Sequence, residues 1–449
     1  GALQSNGRVW LVNPNGILFG PSARIDVQGL VASTLAISNS SFLAGKLNFE
    51  AGAIAGGIQN QGSIKTREGG SVYLVAPDIQ NSGVIHSPKG EVMLAAGRSV
   101  SLVEAAHPDV QMVVSAPADQ AVNLGQILVE GGRASLFGAM LAQRGVVSAS
   151  SAGTDAAGNI VFRAGKDVTL AAGSKTVADG GSGGTITVQA KEGTNLVSGE
   201  VSAQGAEGKG GSIQLLGERV GLVDHASVDA SGQNGGGTVL VGGDYQGKNT
   251  AIQNAGATYV SPDATIVADA KRKGDGGKVT VWGNDVARVY GAISARGGAE
   301  GGDGGLVETS GRYLDIGGAR VSAGAPNGQP GQWLLDPANM SIVAYAGAGV
   351  HAGGLFESGT NSTIRDADIS ATLGHGTDVT LQTGVGAGNG DIVLAAGAQV
   401  TNNGGGSRTL SLLADGSIIF NSTSSIRGGT GNSLTVLLNA RRAGAPCRG

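Results

Sequence analysis

A five-residue frame recurs along the chain and limits the folds open to it: glycine, any residue, apolar, any residue, apolar. Copies begin at Gly70, Gly90, Gly132, Gly158, Gly184, Gly211, Gly237, Gly277, Gly305, Gly331, Gly390 and Gly416. Most copies follow one another at a nearly constant step of roughly 26 residues, within the range of stacked repeat units. One step is shorter, and the three longest read as two turns or as one turn plus an insertion. A fixed period of this size marks a stack of repeated supersecondary units. Each period holds two further strand-like pieces. After Gly211 they are Val220-Gly-Leu222 and Val228-Asp-Ala230; after Gly305 they are Leu314-Asp-Ile316 and Val321-Ser-Ala323. Three short alternating strands per period, parted by Gly-, Asn- and Asp-rich turns, describe one coil of a three-faced solenoid. Alternation sends Ile213, Leu215, Leu222 and Val228 inward, and Ser212, Gln214 and Asp229 outward. A propeller blade needs about 40 residues and four strands. The expected fold is therefore all-β: a right-handed parallel β-helix with three faces and coils of about 20–28 residues.

Glycine supplies 82 of the 449 residues, far above a usual share of roughly 7%. Collagen would need a strict three-residue period, which the sequence lacks. Disorder conflicts with 40% hydrophobic residues arranged in alternating runs. Charged residues make up only 14%, the formal net charge is −4 and aromatics are 4%. With neither a basic stripe nor stacking platforms, no nucleic-acid partner is expected. The single cysteine, Cys447, provides no disulfide framework. Core burial alone must then hold the fold. No apolar run is long enough for a helix that spans a bilayer.

The N-terminal stretch is less repetitive. Residues 6–12 alternate as a strand, and Asn13-Pro14-Asn15-Gly16-Ile17 follows. Pro14 fixes φ and Asn15-Gly16 accepts left-handed conformations, so a tight turn joins two strands. In context, the run from Val9 to Phe49 resembles the secretion domain of filamentous-haemagglutinin-like exoproteins of two-partner secretion. The family's Asn-Pro-Asn-Gly-Ile motif falls on Asn13, Pro14, Asn15, Gly16 and Ile17. Its Gly-X-X-Ala-Ser-Thr-Leu-X-Ile-Ser pattern falls on Gly29 to Ser38. The resemblance continues through Ile64–Leu102 and the Trp-Leu-Leu-Asp-Pro segment at Trp333–Pro337, and 366–438 keeps the family's coil texture.

That resemblance implies a secreted bacterial surface adhesin or filament, associated with the outer membrane. A cognate outer-membrane transporter would recognise the N-terminal domain through its periplasmic domains, with Asn13–Ile17 as the secretion motif. A host or neighbouring-cell receptor or glycan would be the target. The alternative is the stalk of a contact-dependent toxin exoprotein. The expected organisation is a secretion domain over 1–115, a β-helix passenger over 116–335, further coils over 336–438 and an atypical tail over 439–449. The family's domain normally starts before this motif, so an N-terminal truncation is expected. Recognition is expected where the coil is interrupted, at Ala105–Gln126 and at the insertion-like Tyr245–Asp275.

Sharper chemistry has little support. Gly180-Gly-Ser182-Gly-Gly184 matches a nucleophile elbow only literally, within a glycine run and without strand-to-helix context. The Asp275 and Asp303 turns lie a whole coil apart, whereas calcium nonapeptides need copies in immediate tandem. His86, His107, His225, His351 and His375 show no metal spacing. A β-helical polysaccharide enzyme would need carboxylates clustered on one outward face, with Glu218, Asp224, Asp229 and Asp244 as candidates. Each also fits a turn or an outward strand position, so no enzyme, cofactor or metal is expected. Glycosylation sequons at Asn39, Asn361 and Asn421 fit chance in polar turns.

Overall fold

The computed structural model describes residues 1–44, 46–103, 109–114, 118–344, 354–359, 361–384, 388–404 and 406–441. Most frame glycines sit where successive coils approach most closely. A Cβ at Gly158 would lie 1.9 Å from the Gly132 carbonyl oxygen, and one at Gly237 would lie 2.1 Å from that of Gly211. Only a residue without a Cβ tolerates that approach. The chain is a parallel β-helix divided into two compact units, Gly1–Ala203 and Gln204–Gly449.

In the first unit, Ser63–Ala76, Glu91–Ala96, Arg133–Gly138, Asn159–Ala164 and Thr185–Val197 pair in parallel, each with the next. Their register stacks Val72, Val92, Ala134, Ile160 and Ile186 in one column, all fully buried. A second face runs through Asp78–Asn81, Gln120–Asn123, Met140–Gln143 and Val168–Leu170. The third runs through Val84–His86, Gln126–Leu128, Val146–Ser148, Lys175–Val177 and Glu200–Ser202. The second unit repeats the plan. Ile213, Val239, Val279, Val307, Trp333, Val379 and Leu410 form its column, again fully buried. Leu215, Leu222 and Val228 point inward as expected.

The long steps have distinct causes. Between Gly90 and Gly132 one coil carries an excursion: Ser99–Val103 and Asp109–Val114 leave the helix and pair antiparallel. With Ala36–Ile37 and Leu47–Glu50 they make a small antiparallel sheet. Between Gly237 and Gly277 one coil carries a loop. It is shorter than the expected Tyr245–Asp275 interruption, because Ala257–Val260 and Thr265–Val267 already occupy regular coil positions. The coil needs strands there to satisfy its neighbours' backbone groups. The longest step, from Gly331 to Gly390, compares two different faces. The strand after Gly331 pairs with Asp378–Gln382, whereas those after Gly390 and Gly416, Ile392–Leu394 and Ile418–Phe420, continue from Met340–Val343. Within that step a helix, Asp366–Gly374, departs from the expected coil texture and buries Ile369 and Leu373. No described helix is long and apolar enough to cross a membrane.

Candidate functional site

The Asn13–Ile17 turn joins strands Arg8–Val12 and Ile17–Phe19. Asn13 organises it from one side chain. Its Oδ1 accepts the Asn15 N–H at 3.1 Å, and its Nδ2 donates to the Gly16 carbonyl at 3.0 Å. Gly16 takes φ +120°, open to glycine alone. The turn is pinned to the next coil: Gly56 N–H donates to the Pro14 carbonyl at 2.7 Å, and Ile17 N–H to the Gly57 carbonyl at 3.1 Å. A Cβ at Gly56 would lie 2.7 Å from the Asn15 carbonyl oxygen. Val12, Asn13, Pro14, Asn15 and Leu18 remain exposed. The result is a rigid, uncharged knuckle with apolar flanks.

Gly29–Ser38 has a different task. Leu30, Val31, Ala32 and Leu35 are fully buried. Ser33 Oγ receives the Leu35 N–H at 3.0 Å and donates to the Leu35 carbonyl at 2.9 Å, turning the chain out of the coil. Ser38 then caps helix Asn39–Leu43 by accepting the Ser41 N–H. The small antiparallel sheet covers an outward face of the coils here. Val31, Leu35, Phe49, Tyr73, Met93 and Val100 form one buried cluster, with Trp10 packed against it. Trp10 lies edge-on to Phe42, with ring centroids 5.0 Å apart. Sheet strands buried on both sides read as continuous apolar runs. Leu-Val-Ala at 30–32 and Val-Met-Leu-Ala-Ala at 92–96 carry that signal. A period-two pattern does not capture it.

The other candidates separate. Gly180–Gly184 is stacked turn: Ser182 bridges Ala156 in parallel, and its carbonyl accepts the Ala157 N–H. Asp275 accepts the Asp303 N–H, and Asp303 the Gln329 N–H, both at 2.8 Å. These aspartates tie turn to turn across coils. Among the described residues no group of three His, Cys, Asp or Glu could hold a metal. His86 meets Glu130 at 2.8 Å, His375 ends the helix, and His107 and His351 lie outside the described residues. Asn39, Asn361 and Asn421 are exposed. In the Ala105–Gln126 stretch, 105–108 and 115–117 also lie outside them, and Gln120–Asn123 is regular coil.

Of the four outward carboxylates, Glu218, Asp224 and Asp229 serve turns and strands. Asp229, for example, accepts the Ser231 N–H at 2.7 Å. Asp244 instead starts the 243–256 loop. Burial pushes its pKa up, but Lys278 at 2.5 Å, Asn249 and the Tyr245 N–H outweigh that and hold it at about 2. The same loop covers Glu308, which sequence reasoning missed. Both Glu308 oxygens receive the Gln246 N–H, at 3.0 and 3.1 Å. Burial raises its pKa to about 7 despite that bond, with Asp336 adding repulsion. Asp336, also desolvated, is raised to about 6. A raised carboxyl near an ionised one resembles an acid–base pair, but Glu308 is fully buried beneath the loop. That arrangement is a clamp on the loop.

Residues 1–186 match the family described as the TPS secretion domain. Among solved structures the chain is similar to the crystal structure of the HMW1 secretion domain from Haemophilus influenzae. The two share 34% sequence identity with a TM-score of 0.56, over 75% of this chain and 82% of that one. No curated protein matches the sequence.

Proposed function

Because the chain belongs to the two-partner secretion exoproteins of the filamentous-haemagglutinin type, we propose that it is a surface adhesin. Its cognate outer-membrane transporter, which the family implies, reads the Asn13–Ile17 turn through periplasmic recognition domains. On this reading, residues 1–115 carry transporter recognition, and 116–335 and 336–438 present side chains and loops to a host or neighbouring-cell surface.

The observation that supports transporter recognition is the exposed, internally braced Asn13–Gly16 knuckle. Its shape costs little to maintain on binding, because its own side chain fixes it. The adhesin role is supported by a scaffold whose inward columns set the fold and leave outward positions free to vary. A single immobilisation experiment tests both. The full chain on beads is offered the transporter's periplasmic domains, then cultured epithelial cells. Asn13→Ala should weaken transporter binding by about tenfold, equivalent to about 1.4 kcal/mol, and leave cell adhesion unchanged. Transporter binding indifferent to Asn13→Ala would remove the motif assignment. Beads that bind no cells would remove the adhesin role.

A further inference from the structure

One loop of the second unit covers a carboxyl that the coil alone would leave in water. Val241 and Ala257 pair with Val281 and Val286, so residues 242–256 take the place that 282–285 fill in the following coil. The inserted chain folds back onto the outward strand face. A Cβ at Gly243 would lie 2.8 Å from the Trp282 ring, and one at Gly247 2.6 Å from it. The neck of the loop is closed by the Ala255 N–H, which donates to the Gly242 carbonyl at 2.6 Å. Its tip is less secure. Gln246 sits at φ +54°, ψ +22°, a left-handed conformation that strains a residue with a side chain. What holds it there is its N–H, which donates to both Glu308 oxygens. Asn254 Oδ1 in the loop and Thr280 Oγ1 beside Glu308 are buried without a hydrogen-bond partner, which further weakens closure.

We propose that residues 244–254 form a pH-operated lid, held down by the protonated Glu308 and loosened when that carboxyl ionises, which admits water to Trp282 and the strand face beneath. With the lid closed, Glu308 is wholly removed from water. A carboxylate there gives up its hydration for the Gln246 N–H. The charges around it do not make up the difference. Asp336, on Gln332–Asp336, repels a second negative charge, and Lys278, on Lys278–Val289, attracts it. Lys278 is already paired with Asp244 at 2.5 Å and lies 5.4 Å from the Tyr245 ring centroid. Lys248, in the lid, acts on Asp336, which Asp415 also faces. Burial wins, and Glu308 rises from its ordinary 4.5 to about 7. An open lid returns it to the ordinary range. The ratio of open to closed lid therefore grows about 70-fold from pH 5 to pH 8. Asp244, held at about 2, keeps its charge throughout, so its bond to Lys278 anchors the base of the loop in both states.

The test is hydrogen exchange of the full chain, read at single amides by mass spectrometry with electron-transfer fragmentation. Each rate is divided by that of an unstructured peptide at the same pH. Protection of the Gln246 amide should fall about 70-fold from pH 5 to pH 8, steeply up to about pH 7 and no further beyond it. The amide of Val239, in the buried column, should keep its protection, which separates lid opening from unfolding. Glu308→Gln preserves an acceptor for the Gln246 N–H and cannot ionise, so its Gln246 amide should be as protected at pH 8 as at pH 5. Equal protection of wild-type Gln246 at the two pH values would overturn the lid. So would a loss that Val239 shares or that Glu308→Gln retains. Should Glu308→Gln fail to fold by circular dichroism, the wild-type profile decides alone: a fall that levels off above about pH 7 supports the lid, and one that continues at the same slope overturns it.

Discussion

Glu308 lies on an outward strand position, beside Thr280 on one neighbouring strand and Leu334 on the other. The sequence marks it as solvent-facing, because alternation is all a strand reports. The 243–256 loop, too irregular to place from sequence, removes it from water and lifts its pKa to about 7. A pKa raised in the folded state means that the native protein holds the proton more tightly. The stabilisation is complete below the ordinary carboxylate range and is lost as pH rises through about 7. For a shift of this size the span is about 3 kcal/mol. Asp336, raised to about 6, acts in the same direction. In urea titrations at pH 5 and pH 8, Glu308→Gln should flatten the difference in stability relative to wild type. Equal pH dependence in the two proteins would show that the carboxyl does not titrate against the fold.

At the scale of elements, the second face of the first unit is held by more than apolar burial. Asn60 Nδ2 donates to Asn81 Oδ1 at 2.7 Å, Asn81 Nδ2 to Asn123 Oδ1 at 2.8 Å, and Asn123 Nδ2 to Gln143 Oε1 at 2.7 Å. All four side chains are buried. Each residue stands two positions before a corner glycine, Gly62, Gly83, Gly125 or Gly145. The ladder was therefore visible as a recurring Asn/Gln-X-Gly, although a search keyed on apolar residues does not find it. Asn81→Ala would strand the Asn60 donor and the Asn123 acceptor, each buried. Thermal or urea denaturation should show a loss of about 2–6 kcal/mol, the sum of two unsatisfied groups. A loss below about 1 kcal/mol would mean that water or relaxation replaces the missing amide. The antiparallel sheet and the helix Asp366–Gly374 were less legible. The first arises from strands far apart in the chain, Leu47–Glu50 and Ser99–Val103. The second takes its place through tertiary packing of Ile369 and Leu373, which local propensity does not reveal.

For the molecule as a whole, the strongest consequence of a coil period is that whole coils are interchangeable in register while fractions are not. The period was legible because each coil repeats the same inward columns. The knuckle at Asn13–Ile17 was legible because proline and glycine fix its turn locally. The long-range closures were not, since their partners lie outside any local window. Removing Gly158–Gly183, one complete coil of the first unit, would bring Thr185–Val197 against Arg133–Gly138. Ile186 and Val188 would then occupy the places of Ile160 and Phe162, the residues they already follow in register. The Asn60–Gln143 ladder would keep every member. That deletion should retain the β circular-dichroism spectrum and a cooperative melt, with only the smaller stability expected of one fewer nearest-neighbour interface. Removing 158–170 alone takes out Asn159–Ala164 and Val168–Leu170 and leaves Lys175–Val177 without the rest of its coil. It should abolish the cooperative transition in the first unit. If both deletions melted alike, stability would not be additive by coil, and the register of the inward columns would not be what holds the stack.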